Sequence, residues 1–325
     1  MYPIFDLHCD LLAFLALDAT ASPQDVERIG CATPFLQQGQ VRIQVMALFS
    51  LTEKGSVNLG KRQVEIYQKL SQGPDFQHLE KNTPLSKILD PAEAVYMLPA
   101  IESASVFSEE EEELQVVLDR FDWLTEQIGT PLYLSLTHHS ANRFGGGNGS
   151  ELGLSEEGRK LLEHLSGRGM AIDMSHTSDA LARDILDHMD SQGLDLHVIA
   201  SHSNFREIQE HKRNLPDWLV AEIVKRKGLI GMNFVRDFVD PDHPERLLDH
   251  IRYGFAKGAT QAMAFGADYF PPDLLPPEHQ HRAPFFHPEH DNASKYPGIL
   301  AKSGLNEGQS QALCYQNFAN FLGLA

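Results

Sequence analysis

The chain has 325 residues, 42% hydrophobic and 22% charged, enough apolar material for a large buried core and too little charge for a disordered polyelectrolyte. Lys and Arg number 27 against 45 Asp and Glu, and the net charge of −18 argues against nucleic-acid or anionic-membrane partners, whose phosphates need clustered cations. Three cysteines, Cys9, Cys31 and Cys314, are too few for a disulfide framework and point to a reducing compartment, while sixteen histidines are an unusual stock of metal ligands.

The first eight residues, Met-Tyr-Pro-Ile-Phe-Asp-Leu-His, have no basic n-region and no small-residue cleavage site. The apolar stretch 11–17 falls far short of the roughly 20 residues that span a bilayer. A cytoplasmic location is therefore expected. Short apolar runs bounded by turns or helical patterns read as buried parallel strands at 4–9, 41–49, 95–101, 132–137, 170–175, 197–201, 229–235 and 261–266. Between them lie helical patterns. Residues 109–128 place Leu114, Val117, Leu118, Phe121, Leu124 and Ile128 on one face, with Trp123 and later Trp218 expected in helix packing. The acidic run 109–113 is expected in that helix's solvated first turn, where the dipole favours negative charge. The Gly-rich stretch 144–149 lacks the ending of a phosphate loop and reads as a loop needing positive φ. Ser155 and Ser178 are expected to cap the next two helices, and 216–227 opens with Pro and stops at Gly228. Residues 270–297, rich in Pro and His, read as a long loop or lid, with His279, His281, His287 and His290 in a solvated or interface loop.

Eight β-then-α units predict an α/β fold of the (β/α)8 TIM-barrel type, one domain over 1–325, with an open doubly wound sheet as the alternative. Polar residues gather at the strand ends: His8 and Asp10, Glu102, His138, His176, His202 and Asp268. In a barrel those ends share one face, where active sites form. His8 and Asp10 are two apart on a strand and project together; Cys9 between them turns the other way and reads as a small apolar core residue. His176 and His202 end adjacent strands, and Glu102 lies between the two groups in strand order, placed to bridge two ions. Three His and two carboxylates suit Zn²⁺ or a similar transition metal, and two ions roughly 3.5–4 Å apart can hold a bridging water whose pKa falls toward 7. Arg213 follows the sixth strand and is placed to grip a substrate carboxylate.

Seven motifs stand in order along nearly the whole chain. They are Asp6-Leu7-His8-Cys9-Asp10, Ala100-Ile101-Glu102, Leu136-Thr137-His138, Asp173-Met174-Ser175-His176, Ala200-Ser201-His202-Ser203, Arg213-Asn214-Leu215-Pro216-Asp217 and Gly266-Ala267-Asp268. In these the sequence resembles the membrane dipeptidase (renal dipeptidase) family, the M19 metallopeptidases. The resemblance implies a binuclear zinc site with His8 and Asp10 on one ion, His176 and His202 on the other, and Glu102 bridging. It implies that His138 contacts the scissile carbonyl, Arg213 the substrate's C-terminal carboxylate, and that Asp268 handles protons. The implied reaction is hydrolysis of dipeptides, including those with a D-residue second, in a protein that is commonly a homodimer. Three departures bear on substrate choice. Ser103 replaces a usual Gly and narrows the pocket, Val235 stands where Tyr is frequent and removes one substrate hydrogen bond, and Tyr269-Phe270-Pro271 replaces Phe-Asp-Gly. Two rival readings are another binuclear amidohydrolase acting on a non-dipeptide amide, lactone or phosphoester, and a non-catalytic binding protein with a vestigial site.

Overall fold

In the computed structural model, residues 2–275 and 280–324 are described. Apolar runs without alternation fold as strands covered on both sides, and they appear in chain order as β1 (Ile4–Cys9), β2 (Val41–Phe49), β3 (Phe76–His78), β4 (Val95–Glu102), β5 (Tyr133–Ser135), β6 (Ala171–Asp173), β7 (His197–Ile199), β8 (Ile230–Met232) and β9 (Met263–Phe265). All pairings are parallel, in the order β7-β6-β5-β4-β2-β1-β9-β8. The seam between β7 and β8 closes through a bridge at Ala200, whose amide donates to Leu229 O and whose carbonyl accepts from Gly231, both at 2.8 Å. The result is a nearly closed eight-strand parallel barrel wrapped by helices, a (β/α)8 TIM-barrel fold. The ninth strand, β3, was not expected; it pairs with the first half of β4, while the second half of β4 pairs with β5.

Alternation along the strands divides the core. Phe5, Leu7, Ile43, Val45, Tyr96, Ala100, Tyr133, Ala171, Ile199 and Ala264 form one buried cluster. Met46, Leu48, Met97, Ile101, Leu134 and Ile172 join the larger cluster that includes the surrounding helices. The C-terminal helical segment adds Phe318 and Ala319 to the first cluster, with Phe318 edge-on to Phe5 at 6.2 Å. Side-chain packing thus continues to the N-terminal end of the barrel, and the C-terminal end carries the polar groups.

Ser155 and Ser178 cap their helices as expected, accepting from the amides of Gly158 and Leu181 at 2.9 Å. The acidic run does not begin a helix, which starts at Leu114. Instead Glu109 accepts from the Gly55 amide, and Glu112 takes both Arg120 amino groups at 2.6 and 2.8 Å, a pairing that lowers its pKa to about 2. Charge neutralisation by Arg120 outweighs what the helix dipole offers. None of Gly145, Gly146, Gly147 and Gly149 has positive φ. Their lack of a side chain serves close approach: a Cβ on Gly147 would strike the carbonyls of His138 and His139. Trp123 is 38% exposed rather than packed, and Trp218 lies under the Arg183 guanidinium at 3.8 Å. In the divergent segment, Phe285, Phe286, His287 and His290 are buried, correcting the solvated reading of those two histidines; His281 is exposed and His279 lies outside the described residues.

Candidate metal centre

Every polar residue singled out at a strand end reaches the C-terminal mouth of the barrel. In a parallel barrel the C-terminal ends of the strands share one face, and the residues that follow them border the opening. Glu102, the last residue of β4, is central. Its Oε2 faces His8 Nε2 at 3.4 Å. Its Oε1 faces His176 Nε2 at 2.7 Å, His202 Nε2 at 3.4 Å and His138 Nε2 at 3.8 Å. Asp10 and Asp268 each approach His8 Nε2, at 3.9 and 3.6 Å. His8 stacks on His202 with ring centres 3.7 Å apart. Two ligand sets therefore share one carboxylate: His8, Asp10 and Glu102, and Glu102, His176 and His202.

Electrostatics at the mouth are set by burial. Burial raises Glu102 to about 8 against the pull of Arg213, and raises Asp268 to about 6, where His8 draws it down and Glu102 pushes it up. Asp10 is raised by burial and then by Glu102. Burial also holds His138, His176 and His202 well below the usual imidazole range. The low-dielectric surroundings thus disfavour charge on these three carboxyls and three imidazoles. Buried polar atoms normally have partners, yet His8 Nε2, Asp10 Oδ1 and His176 Nδ1 have none. Neutral imidazole lone pairs and crowded carboxylates are the donor set that a pair of divalent cations satisfies, so the residues present fit the implied metals.

Groups beneath the mouth orient these side chains. Tyr133 Oη donates to Leu7 O at 3.0 Å, so its 2.6 Å contact with His8 Nδ1 has the imidazole as donor, and the Nε2 lone pair faces Glu102. Asp173, fully buried on β6, accepts from the hydroxyls of Ser135, Ser175 and Ser201 at 2.7–2.8 Å and from the amides of Ser175 and Ser201. Asp6, equally buried, accepts from Gln44 Nε2, Tyr296 Oη and the amides of His8 and Ala267. Asn233 holds Asp268 Oδ2 at 2.8 Å, and Asp268 itself has φ of 63°. Sequence reasoning assigned no role to Tyr133, Asp173, Asp6 or Asn233. Asp173 and Asp6 stood inside quoted motifs, which was the available signal.

Ser103 adopts φ of 74°, a left-handed conformation that suits glycine, and its hydroxyl accepts from the Ser105 amide. Arg213 is buried; its Nη1 donates to Ser175 O and Ser203 Oγ and its Nη2 to His202 O, leaving the Nε hydrogen and one Nη2 hydrogen unused. Val235 is buried and its backbone bridges to Phe286 of the divergent segment.

Residues 1–286 match the family model of the membrane dipeptidases, peptidase family M19. The chain belongs to this family. An uncharacterised dipeptidase of Schizosaccharomyces pombe is 27% identical over 183 residues, 52% of this chain and 40% of that protein. The dipeptidase verJ of Clonostachys rogersoniana is 29% identical over 143 residues, 42% of this chain and 36% of its own length. The match thus spans less than half the length of each of these two relatives. Among solved structures, a metallopeptidase of Rhodobacter sphaeroides, liganded with a phosphinate mimic of the dipeptide L-Ala-D-Ala, superposes with a TM-score of 0.78 at 17% identity, over 99% of this chain and 98% of that one. At that identity the likeness speaks for the shared barrel.

Proposed function

We propose that this M19 chain is a zinc-dependent dipeptidase with two cations per chain, His8 and Asp10 serving one, His176 and His202 the other, and Glu102 both. The observation that carries the reading is the division of Glu102, one oxygen turned to His8 and the other to His176 and His202. Bound there, the cations would polarise the scissile carbonyl and supply a nucleophile from water at neutral pH.

The chain's own residues do the rest. His138, half-buried at the rim, presents Nε2 to the carbonyl oxygen as charge develops on it. Asp268, fixed through Oδ2 by Asn233, keeps Oδ1 toward His8, where it takes a proton and returns it to the leaving amine. The unused edge of Arg213 receives the substrate's free carboxylate, which limits substrates to those ending one residue past the cut. A D-residue at that second position is accepted in our reading, in keeping with the L-Ala-D-Ala mimic held by the Rhodobacter metallopeptidase. The three cysteines are all free and buried, which favours a reducing, cytoplasmic setting. No helix among the described residues is long and apolar enough to cross a membrane.

The full chain, dialysed against chelator, is assayed on LL and LD dipeptides and on the same dipeptides with an amidated C-terminus. Activity should vanish, return with two equivalents of Zn²⁺, and be lost on the amides. Turnover by metal-free protein would overturn the mechanism. Equal hydrolysis of the amides would favour an amidohydrolase that does not read a carboxylate.

A further inference from the structure

One more set of ligand atoms lies on the solvent side of Glu102. Nitrogens of His138, His139 and His176 fall within 4.8 Å of one another. Their rings are packed together, with centres 4.1 Å apart for His138 and His139 and 4.2 Å apart for His138 and His176. Exposure falls along the row: His139 is exposed, the His138 side chain is 19% exposed, His176 3% and His202 0%.

His139 is held for ligation. Its Nδ1 lies 2.9 Å from Asn148 Oδ1. An amide oxygen only accepts, so Nδ1 carries the hydrogen and Nε2 keeps its lone pair. The strap that carries Asn148 is itself fixed, because the backbone N–H of Asn148 donates to His176 O at 2.9 Å and that of Gly149 to His139 O at 2.8 Å. The Gly-rich strap therefore couples His139 to His176 through the backbone.

His176 belongs both to this outer set and to the inner set of Glu102, His176 and His202. We propose that His138, His139 and His176 form an outer cation site that captures a divalent transition metal at the mouth and passes it to Glu102, His176 and His202, with His176 as the shared ligand. The proposal rests on the reading of the inner groups as a binuclear metal centre. A tetrahedral zinc site with bonds of about 2.0–2.1 Å sets its nitrogens about 3.3 Å apart. The outer nitrogens, now within 4.8 Å of one another, must close in on an ion. The inner atoms are already close, with His176 Nε2 at 2.9 Å from His202 Nε2 and 2.7 Å from Glu102 Oε1. The inner set also adds a carboxylate, which three imidazoles lack, so attraction for a dication increases inward.

The test follows Co²⁺ uptake by the metal-free full chain, with the visible absorbance of protein-bound cobalt as the readout. In His139→Ala, uptake of one of the two ions should lose its fast phase and slow relative to the parent protein. Final absorbance per chain and turnover of the fully loaded enzyme should match the parent protein. His139→Gln, which keeps the size of the side chain without an imidazole, should behave the same way. Parent-like uptake rates in a folded variant would overturn the outer site alone. Absence of bound cobalt in the parent chain would overturn the binuclear centre and the outer site with it.

Discussion

Ser201 has one proton to give, and its 2.8 Å contact with Asp173 Oδ2 claims it, so the 2.6 Å contact with His202 Nδ1 runs from imidazole to hydroxyl. That fixes the lone pair of His202 on Nε2, facing Glu102 at 3.4 Å. Ser201→Ala removes the acceptor and frees the tautomer. Metal affinity should fall roughly 10–100-fold, read by competition with a chelating dye, while turnover at saturating metal stays near the parent value. Unchanged affinity would refute the role. The residues at the mouth were legible in the sequence because each sits at the end of an apolar run, where a lone imidazole or carboxylate stands out. Their supports were not, because a hydroxyl's partner is chosen across strands. Asp6 takes its hydrogen bonds from Gln44, Ala267 and Tyr296, residues that no local pattern brings together.

At the scale of elements, the strap 145–149 carries the sharpest expectation. Gly147 pairs as a bridge with Thr177 and has no space for a Cβ beside the carbonyls of His138 and His139. Gly147→Ala should displace the strap and with it His138, and misplacement by about an ångström costs on the order of 10²-fold in kcat/KM. A variant with parent kcat/KM would show that the close approach is not needed for positioning. β1 and β2 fell on the predicted residues because six and eight consecutive buried positions leave little choice of boundary. β3 escaped because Phe76-Gln77-His78 is three residues with one buried apolar side chain, too little for any pattern. The acidic run was misplaced because Glu112 folds onto Arg120 of the following helix and Glu109 onto the Gly55 amide, side-chain contacts that apolar periodicity does not register.

For the molecule as a whole, the proposed ligands come from the ends of β1, β4, β6 and β7, with Asp268 following β9. Cations held there would join strands that are distant in the chain, and the unfolded chain would not bind them in the same way. Binding to the folded state alone contributes about 2.7 kcal/mol at a hundredfold excess over Kd. Removal of metal should therefore lower the melting temperature by about 5 °C, and zinc should restore it; calorimetry of the metal-free and loaded chain measures this. A melting temperature indifferent to metal would contradict a cross-strand centre. The barrel itself was readable from eight alternating units. Its closure was not, since it rests on one bridge and on backbone fit at the seam.

That fit has a lasting consequence. The Ser201 carbonyl occupies the space where a Cβ of Gly231 or Gly266 would stand. Neither glycine can gain a methyl group without pushing the wall apart beside His202. Mutational drift is thereby barred at these two positions of the lining.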